Sequence, residues 1–190
     1  SVTLSLHGVA VSPGVAIGCV HVVERNRFDM TKYSVNESEI EVEIQRLRSA
    51  IRRAKEYLKK IKGHIPASTP SGIASFIDTH LLMLDDAAFN DEPIRLIRQE
   101  QCNAEWAIKL QRDAFVAAFE QMGDAYLRTR KDDVDHVIDR VLRNLSEETP
   151  SHYEIPDQRL KNMIVLADDL ALADLILIQH HGVTGFVTEF

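Results

Sequence analysis

Apolar and polar positions alternate along this chain with two different periods. Up to Val23 the period is two. Leu4 and Leu6 alternate with polar neighbours, and Val9–Val11 and Val15–Ile17 are short apolar runs. Ser12-Pro13-Gly14 lies between those runs: Pro13 presets φ, and Gly14 accepts the positive φ of a type II turn. This pattern predicts β structure over the first segment. It continues after Gly18 with a strand at Cys19–Val23.

From about Ser34 the period lengthens. Ile40, Ile44, Leu47, Ile51, Ala54, Leu58 and Ile61 recur in steps of four and three, which places them on one helix face. Asn36 and Glu39 have capping-box spacing, Glu56 and Lys60 form an i,i+4 pair, and Gly63 with Pro66 predicts the stop. A second helix follows Gly72, with Ile73, Phe76, Ile77, His80, Leu81 and Leu84 inward. Leu82 and Met83 fall off that face. A short helix is predicted over Pro93–Gln101, and a longer one over Ala104–Met122. The apolar residues of the longer helix (Trp106, Ile108, Leu110, Phe115, Val116, Phe119) go nearly all round, which predicts burial on several sides. The last helix spans Asp124–Leu145, with Leu127, Val134, Val137, Ile138, Val141, Leu142 and Leu145 inward.

Thr149-Pro150 and Pro156 mark an exit loop. Met163–Ala167 then reads as a buried strand, Leu172–Gln179 as a helix stopped by Gly182, and Val183–Phe190 as another strand. The element order is β, helical block, β-α-β. A helical block flanked by α/β pieces predicts an α/β layer carrying an insertion, with its first and last parts in one sheet. The expected organisation is residues 1–33 as the first part of the layer, 34–147 as the inserted helical unit, and 148–190 as the second part. The layer is expected to be incomplete at Phe190.

Composition narrows the function. The net charge of −7 disfavours a surface built to face nucleic-acid phosphates or anionic lipid. Two cysteines, Cys19 and Cys102, stand far apart with no CxxC, so neither a disulfide framework nor a zinc site is expected. No apolar run is long enough for a transmembrane helix and no signal peptide opens the chain, so a cytoplasmic setting is the expectation.

Few residues suggest chemistry by themselves. The adjacent imidazoles of His180-His181 point apart on a helix, and a solvated last turn suits them better than a metal. His80 is expected as a hydrogen-bonded histidine on an inner face, or as a neighbour of an active group. His7, His21, His64, His136 and His152 have no recognisable partner. Asp85-Asp86 and Asp168-Asp169 fit helix caps better than catalysis. Gly8, Gly14 and Gly18 lack the spacing of a phosphate loop, and no Ser-His-Asp or Cys-His set can be placed. What remains is a patch. Leu82, Met83 and Phe89 lie off the inner stripe, near Asp86 and near Tyr126 and Arg130, which stand one turn apart. Such a patch suits either a protein interface or packing within the bundle.

Gly8-Val9-Ala10-Val11-Ser12-Pro13-Gly14-Val15-Ala16-Ile17-Gly18 resembles the opening of enzyme I, the phosphoenolpyruvate–protein phosphotransferase of the bacterial sugar phosphotransferase system. Thr79–Asp86, Asp124–Arg128, Val141–Leu145, Val165–Leu170 and Gly185–Thr188 resemble further segments of that family, in the same order and over nearly the whole chain. The resemblance implies an α/β phosphohistidine subdomain of the swivelling type, with an inserted helical bundle that binds the carrier protein HPr. It also implies an enzyme that moves phosphate from phosphoenolpyruvate, with magnesium, onto a histidine and then to HPr. In the family that histidine lies in a Gly-Gly-x-Thr-Ser-His segment, expected just after Phe190, and no histidine of this chain has that context. The phosphoenolpyruvate and magnesium sites and the homodimer contacts are implied for a further C-terminal domain. No catalytic or metal residue is therefore expected in this chain.

By the same resemblance Leu82, Met83, Asp86, Phe89, Tyr126 and Arg130 match positions that contact HPr, with Phe89 replacing an aliphatic residue. His80 matches a position near the boundary between the two subdomains. There are departures. Asp168-Asp169-Leu170-Ala171 lacks the Thr or Pro that family members commonly carry after the Asp-Leu, and Ala87-Ala88 replace acidic residues that would steer a basic partner. Two alternatives stay open: a paralogue serving another carrier, as in the nitrogen-related system, and a non-catalytic helical adaptor.

Overall fold

The computed structural model describes residues 3–23, 28–65, 67, 71–121, 125–146, 160–167, 175–176 and 182–189, with only the backbone described over 125–130. Strand β1 (Cys19–Val23) is followed by five helices: α1 (Ile40–Gly63), α2 (Ser71–Asp85), α3 (Ala87–Glu100), α4 (Ala104–Gln121) and α5 (Ala125–Leu145). Strands β2 (Met163–Ala167) and β3 (Gly185–Thr188) complete the order.

The strands form one parallel sheet in the order β1-β2-β3. Cys19 faces Met163 at one end of the first ladder and Val23 faces Ala167 at the other. Parallel neighbours need a crossover. Between β1 and β2 that crossover carries all five helices, so the ends of the chain share one sheet as expected. Of the helix expected at Leu172–Gln179, Leu175–Ile176 lies within the described residues and is helical; Ile176 is buried against the helical core.

The segment before β1 departs from expectation. No strand is assigned over residues 3–18, and Leu4, Leu6, Val9, Val11, Val15 and Ile17 are all between 74% and 94% exposed. Alternation of apolar residues makes a strand only where a neighbouring backbone completes the ladder. Among the described residues β1 pairs with β2 alone, and none pairs with this segment. The expected type II turn is replaced by a bend over residues 11–13, with Gly14 at φ 139° rather than the roughly +80° that turn requires.

Helix α1 follows its sequence pattern closely. Ile44, Leu47, Ile51, Ala54, Leu58 and Ile61 are buried, and fully burying an Ile or Leu side chain is worth about 1.5–3 kcal/mol. A 3-10 turn at Glu37–Glu39 leads in, with the Asn36 N–H donating to the Glu39 carboxylate at 3.4 Å. Acidic residues crowd the first turn and Lys60 and Lys62 the last, which suits the helix dipole. The expected Glu56–Lys60 pair gives way to Arg52–Glu56 at 4.0 Å.

Two helices differ from expectation. Helix α3 starts at Ala87 rather than Pro93 because Asp86 caps it, its Oδ1 accepting the Ala88 N–H at 2.8 Å. Pro93 thus sits inside the helix, where its ring leaves the Phe89 carbonyl without an i+4 donor. Helix α4 buries only Ala104, Ala107 and Ile108 completely. It packs on α3, α5 and α1, and Trp106, Leu110, Phe115, Val116 and Phe119 stay half-buried.

Candidate functional site

The candidate recognition face is the corner where α2 passes into α3. On α2, Ile77, His80 and Leu84 form the buried stripe, at i, i+3 and i+7. Leu82 is offset from that stripe by about half a turn of helix and is 71% exposed. Met83 is half-buried and packs on the helical core. Asp86 is exposed and caps α3.

Polar contacts fix this corner. Lys55 Nζ on α1 meets Asp85 Oδ1 at 2.6 Å and, by that hydrogen bond, holds the carboxyl below its ordinary pKa. Asn90 Nδ2 donates to the carbonyls of Leu84 at 2.6 Å and Asp86 at 3.0 Å, satisfying the frayed end of α2. Leu82 and Asp86 therefore project from a closely tied turn, with Met83 between them packed partly into the core.

Phe89, expected in the outward patch, is not part of the surface. It is 5% exposed, and its ring stacks on Phe115 of α4 with centroids 5.0 Å apart. Phe115 stacks in turn on Phe119 at 6.4 Å. The early start of α3 explains the change: Asp86 at the cap turns Phe89, in the first helical turn, inward. Tyr126 and Arg130 lie on the first turns of α5, and their side chains fall outside the described residues. Asp168, Asp169, His180 and His181 also lie outside them.

His80 is buried, 4% exposed, and joins α2 to α5. Its Nε2 lies 3.5 Å from Asp133 Oδ1, its ring centroid 4.1 Å from Phe76 and 6.4 Å from His136. Burial pushes the imidazole pKa below its ordinary value, although the Asp133 carboxylate pulls the other way. Nearby, Arg140 stands over the Tyr57 ring at 4.0 Å. Sequence reading found His80 but missed Asp133. The pairing spans 53 residues, and Asp133 stands in a run of charged residues, Lys131-Asp132-Asp133, that gives no local sign of it. Among the described residues no group of three or more His, Cys, Asp or Glu is placed to hold a metal ion.

This geometry can be set beside known proteins. The model of the family "PEP-utilising enzyme, N-terminal" matches residues 7–130. The chain belongs to that family. Among its curated relatives, the phosphoenolpyruvate-protein phosphotransferase of Cupriavidus necator is 35% identical over 192 residues, covering 97% of this chain and 33% of that protein. The enzyme of the same name from Geobacillus stearothermophilus is 32% identical over 185 residues, covering 97% of this chain and 31% of that protein. The chain thus spans about a third of the length of these family members. In the family's solved structures, the NMR solution structure of Enzyme I (nEIt) superposes with a TM-score of 0.79 at 26% identity, over 96% of this chain and 72% of that one. The N-terminal domain of Enzyme 1 - Nitrogen gives a TM-score of 0.66 at 23% identity, over 93% and 70%, and speaks for the fold. A helical bundle set into a small parallel sheet is thus the architecture of the enzyme I N-terminal domain, as expected from the sequence.

Proposed function

We propose that this chain is the carrier-recognition part of a phosphoenolpyruvate–protein phosphotransferase, and that it grips HPr through Leu82, Met83, Asp86, Tyr126 and Arg130, with Phe89 supporting that face from beneath. The observation that carries the reading is Leu82, a large apolar side chain 71% exposed on a tightly fastened corner. An apolar residue held outward on a rigid turn, with a carboxylate one turn away, suits a protein partner.

The chemistry of the parent enzyme is part of the same proposal. An imidazole nitrogen attacks the phosphorus of phosphoenolpyruvate, the bond to the enol oxygen breaks, and the phosphoryl group then passes to a histidine of HPr. That nucleophile, the phosphoenolpyruvate and magnesium sites, the dimer contacts and a cytoplasmic role in sugar uptake are all proposed for the whole protein. The described residues of this chain contribute recognition and scaffold.

Ala87 and Ala88, small and uncharged beside Asp86, favour one second reading, in which the carrier belongs to the nitrogen-related branch. Amide-shift titration of the chain with HPr and, in parallel, with a nitrogen-branch carrier tests both. The expected result is saturable shifts around residues 82–90 and 125–131, weakened by Leu82→Asp and by Tyr126→Ala while circular dichroism stays unchanged. Wild-type affinity for HPr in both variants would remove the docking assignment. Tighter binding of the other carrier would move the chain to the second branch.

A further inference from the structure

A groove of about 520 Å3 runs between α1 and α3, lined by Arg48, Asp91, Ile94, Arg95, Arg98 and Gln99. Three of its six lining residues are arginines, in a chain whose net charge is −7. Arg48 comes from α1, while Arg95 and Arg98 come from α3, so guanidinium groups line both walls of one helix–helix seam. Facing like charges oppose packing unless anions lie between them.

Three carboxylates (Glu92, Glu41 and Asp91) match the three guanidiniums in number, but the two ion pairs they form leave Arg48 out. Arg95 is held by Glu92, with Nε to Oε2 at 2.9 Å, and also donates to Gln99. Arg98 reaches Glu41 at 2.9 Å. Both pairs are solvent-exposed, with side-chain exposures of 55% and 37% in the first and 53% and 65% in the second, so they exchange readily with a competing anion. Among the described residues Arg48 makes no hydrogen bond or ion pair. Ile94 is buried at the groove and provides an apolar floor. Asp91 adds a single carboxylate, an acceptor for a ligand's hydroxyl.

We infer that the α1–α3 groove binds a small hydroxylated organic anion, its carboxylate or phosphate between Arg48, Arg95 and Arg98 and its hydroxyl toward Asp91. Forked guanidinium donors match either kind of anionic head. The groove uses residues distinct from the α2–α3 corner, so the inference stands apart from the carrier-docking proposal.

Amide-shift titrations of the chain with citrate and with glycerol 3-phosphate test it, against sodium chloride at matched ionic strength. Saturable shifts at Arg48 and across 91–99 are expected with at least one of the two. Citrate alone would identify a carboxylate site, and glycerol 3-phosphate alone a phosphate site. Arg48→Ala, which breaks no ion pair, is expected to weaken binding about tenfold, the worth of one charge-assisted hydrogen bond. Arg95→Gln should act in the same direction. Shifts no larger than those from sodium chloride, or undiminished in both variants, would overturn the site.

Discussion

Arg46 grips Glu105 with two parallel hydrogen bonds, Nη1 to Oε1 at 2.7 Å and Nη2 to Oε2 at 2.6 Å. The same guanidinium takes Glu43 at 2.7 Å and donates to the Leu145 carbonyl at 2.9 Å. Glu43 in turn accepts the Ala104 N–H at 2.7 Å. One side chain on α1 thereby ties the start of α4 to the end of α5. Burial opposes its charge, yet the bonds to Glu105 and Glu43 win and raise its pKa. Burial likewise opposes the charge on Glu105, and the Arg46 hydrogen bond outweighs it, so that pKa is lowered.

Replacing Arg46 by Met should therefore be among the costliest changes in the helical block. It leaves Glu43 and Glu105 facing each other, partly buried and without their cation. Removing one partner of a buried pair costs about 3–5 kcal/mol, and these groups fall toward the lower end because they keep some solvent access. Urea denaturation of wild type and Arg46→Met reads the difference directly. A loss within about 0.5 kcal/mol, the ordinary surface range, would show the network to be idle.

Phe89 and Leu82 separate packing from recognition. Phe89→Ala removes a ring stacked on Phe115 in the core and should cost about 3–5 kcal/mol of stability. Leu82→Ala removes an exposed side chain and should leave stability within about 0.5 kcal/mol. Chemical denaturation gives both values. Equal costs would contradict the opposite placements of these two residues.

Periodicity explains why so much of the helical block was legible in the sequence. The stripe from Ile44 to Ile61 on α1 needs only local geometry and a core to face, and both are encoded within the helix. Asp86 was rightly read as a cap, but the start of α3 was put at Pro93 rather than Ala87, because a proline imitates a helix beginning. Phe89 was misplaced for the same reason, since moving a helix start changes which residues turn inward. The segment 3–18 was misread for a different reason. Its apolar alternation is real, but strand formation depends on a partner backbone that local sequence does not specify. Arg46 also escaped sequence reading, because its partner Glu105 lies 59 residues away.

His80 should make the helical block sensitive to mild acid. Its pKa in the fold is lowered from the ordinary 6.5, chiefly by burial, so the unfolded chain binds a proton more readily than the native one. The stability this neutral histidine provides is present above the unfolded value and is lost as pH falls below 6.5 toward the lowered native value. Thermal melts at about pH 7.5 and about pH 5.5 should show a drop in wild type that is smaller in His80→Gln. The carboxylates held low by Arg46 and Lys55 titrate in a more acidic window and leave this interval clear. An equal drop in the variant would assign the effect to other groups.

Gly18 tests whether the sheet stands or falls with the helical block. A Cβ on Gly18 would lie 2.5 Å from the Asn162 carbonyl oxygen, a backbone atom that cannot swing aside as a side chain can. Asn162 is itself fixed in the left-handed region at φ 64°, its N–H donating to the Gly182 carbonyl at 3.2 Å. Gly18→Ala must therefore push β1 off β2 at the Cys19–Met163 end of the ladder, at an overpacking cost of about 1–3 kcal/mol. The small cluster of Leu160, Val165, Val23, Met163 and Val183 beneath the sheet is separate from the helical core. Hydrogen exchange in Gly18→Ala should accelerate across Val20–Val23 and Met163–Ala167 while α1 and α5 keep their protection. If α1 and α5 lose protection to the same degree, sheet and bundle unfold as one unit; if the strands keep theirs, the Gly18 contact is not what holds β1 in register.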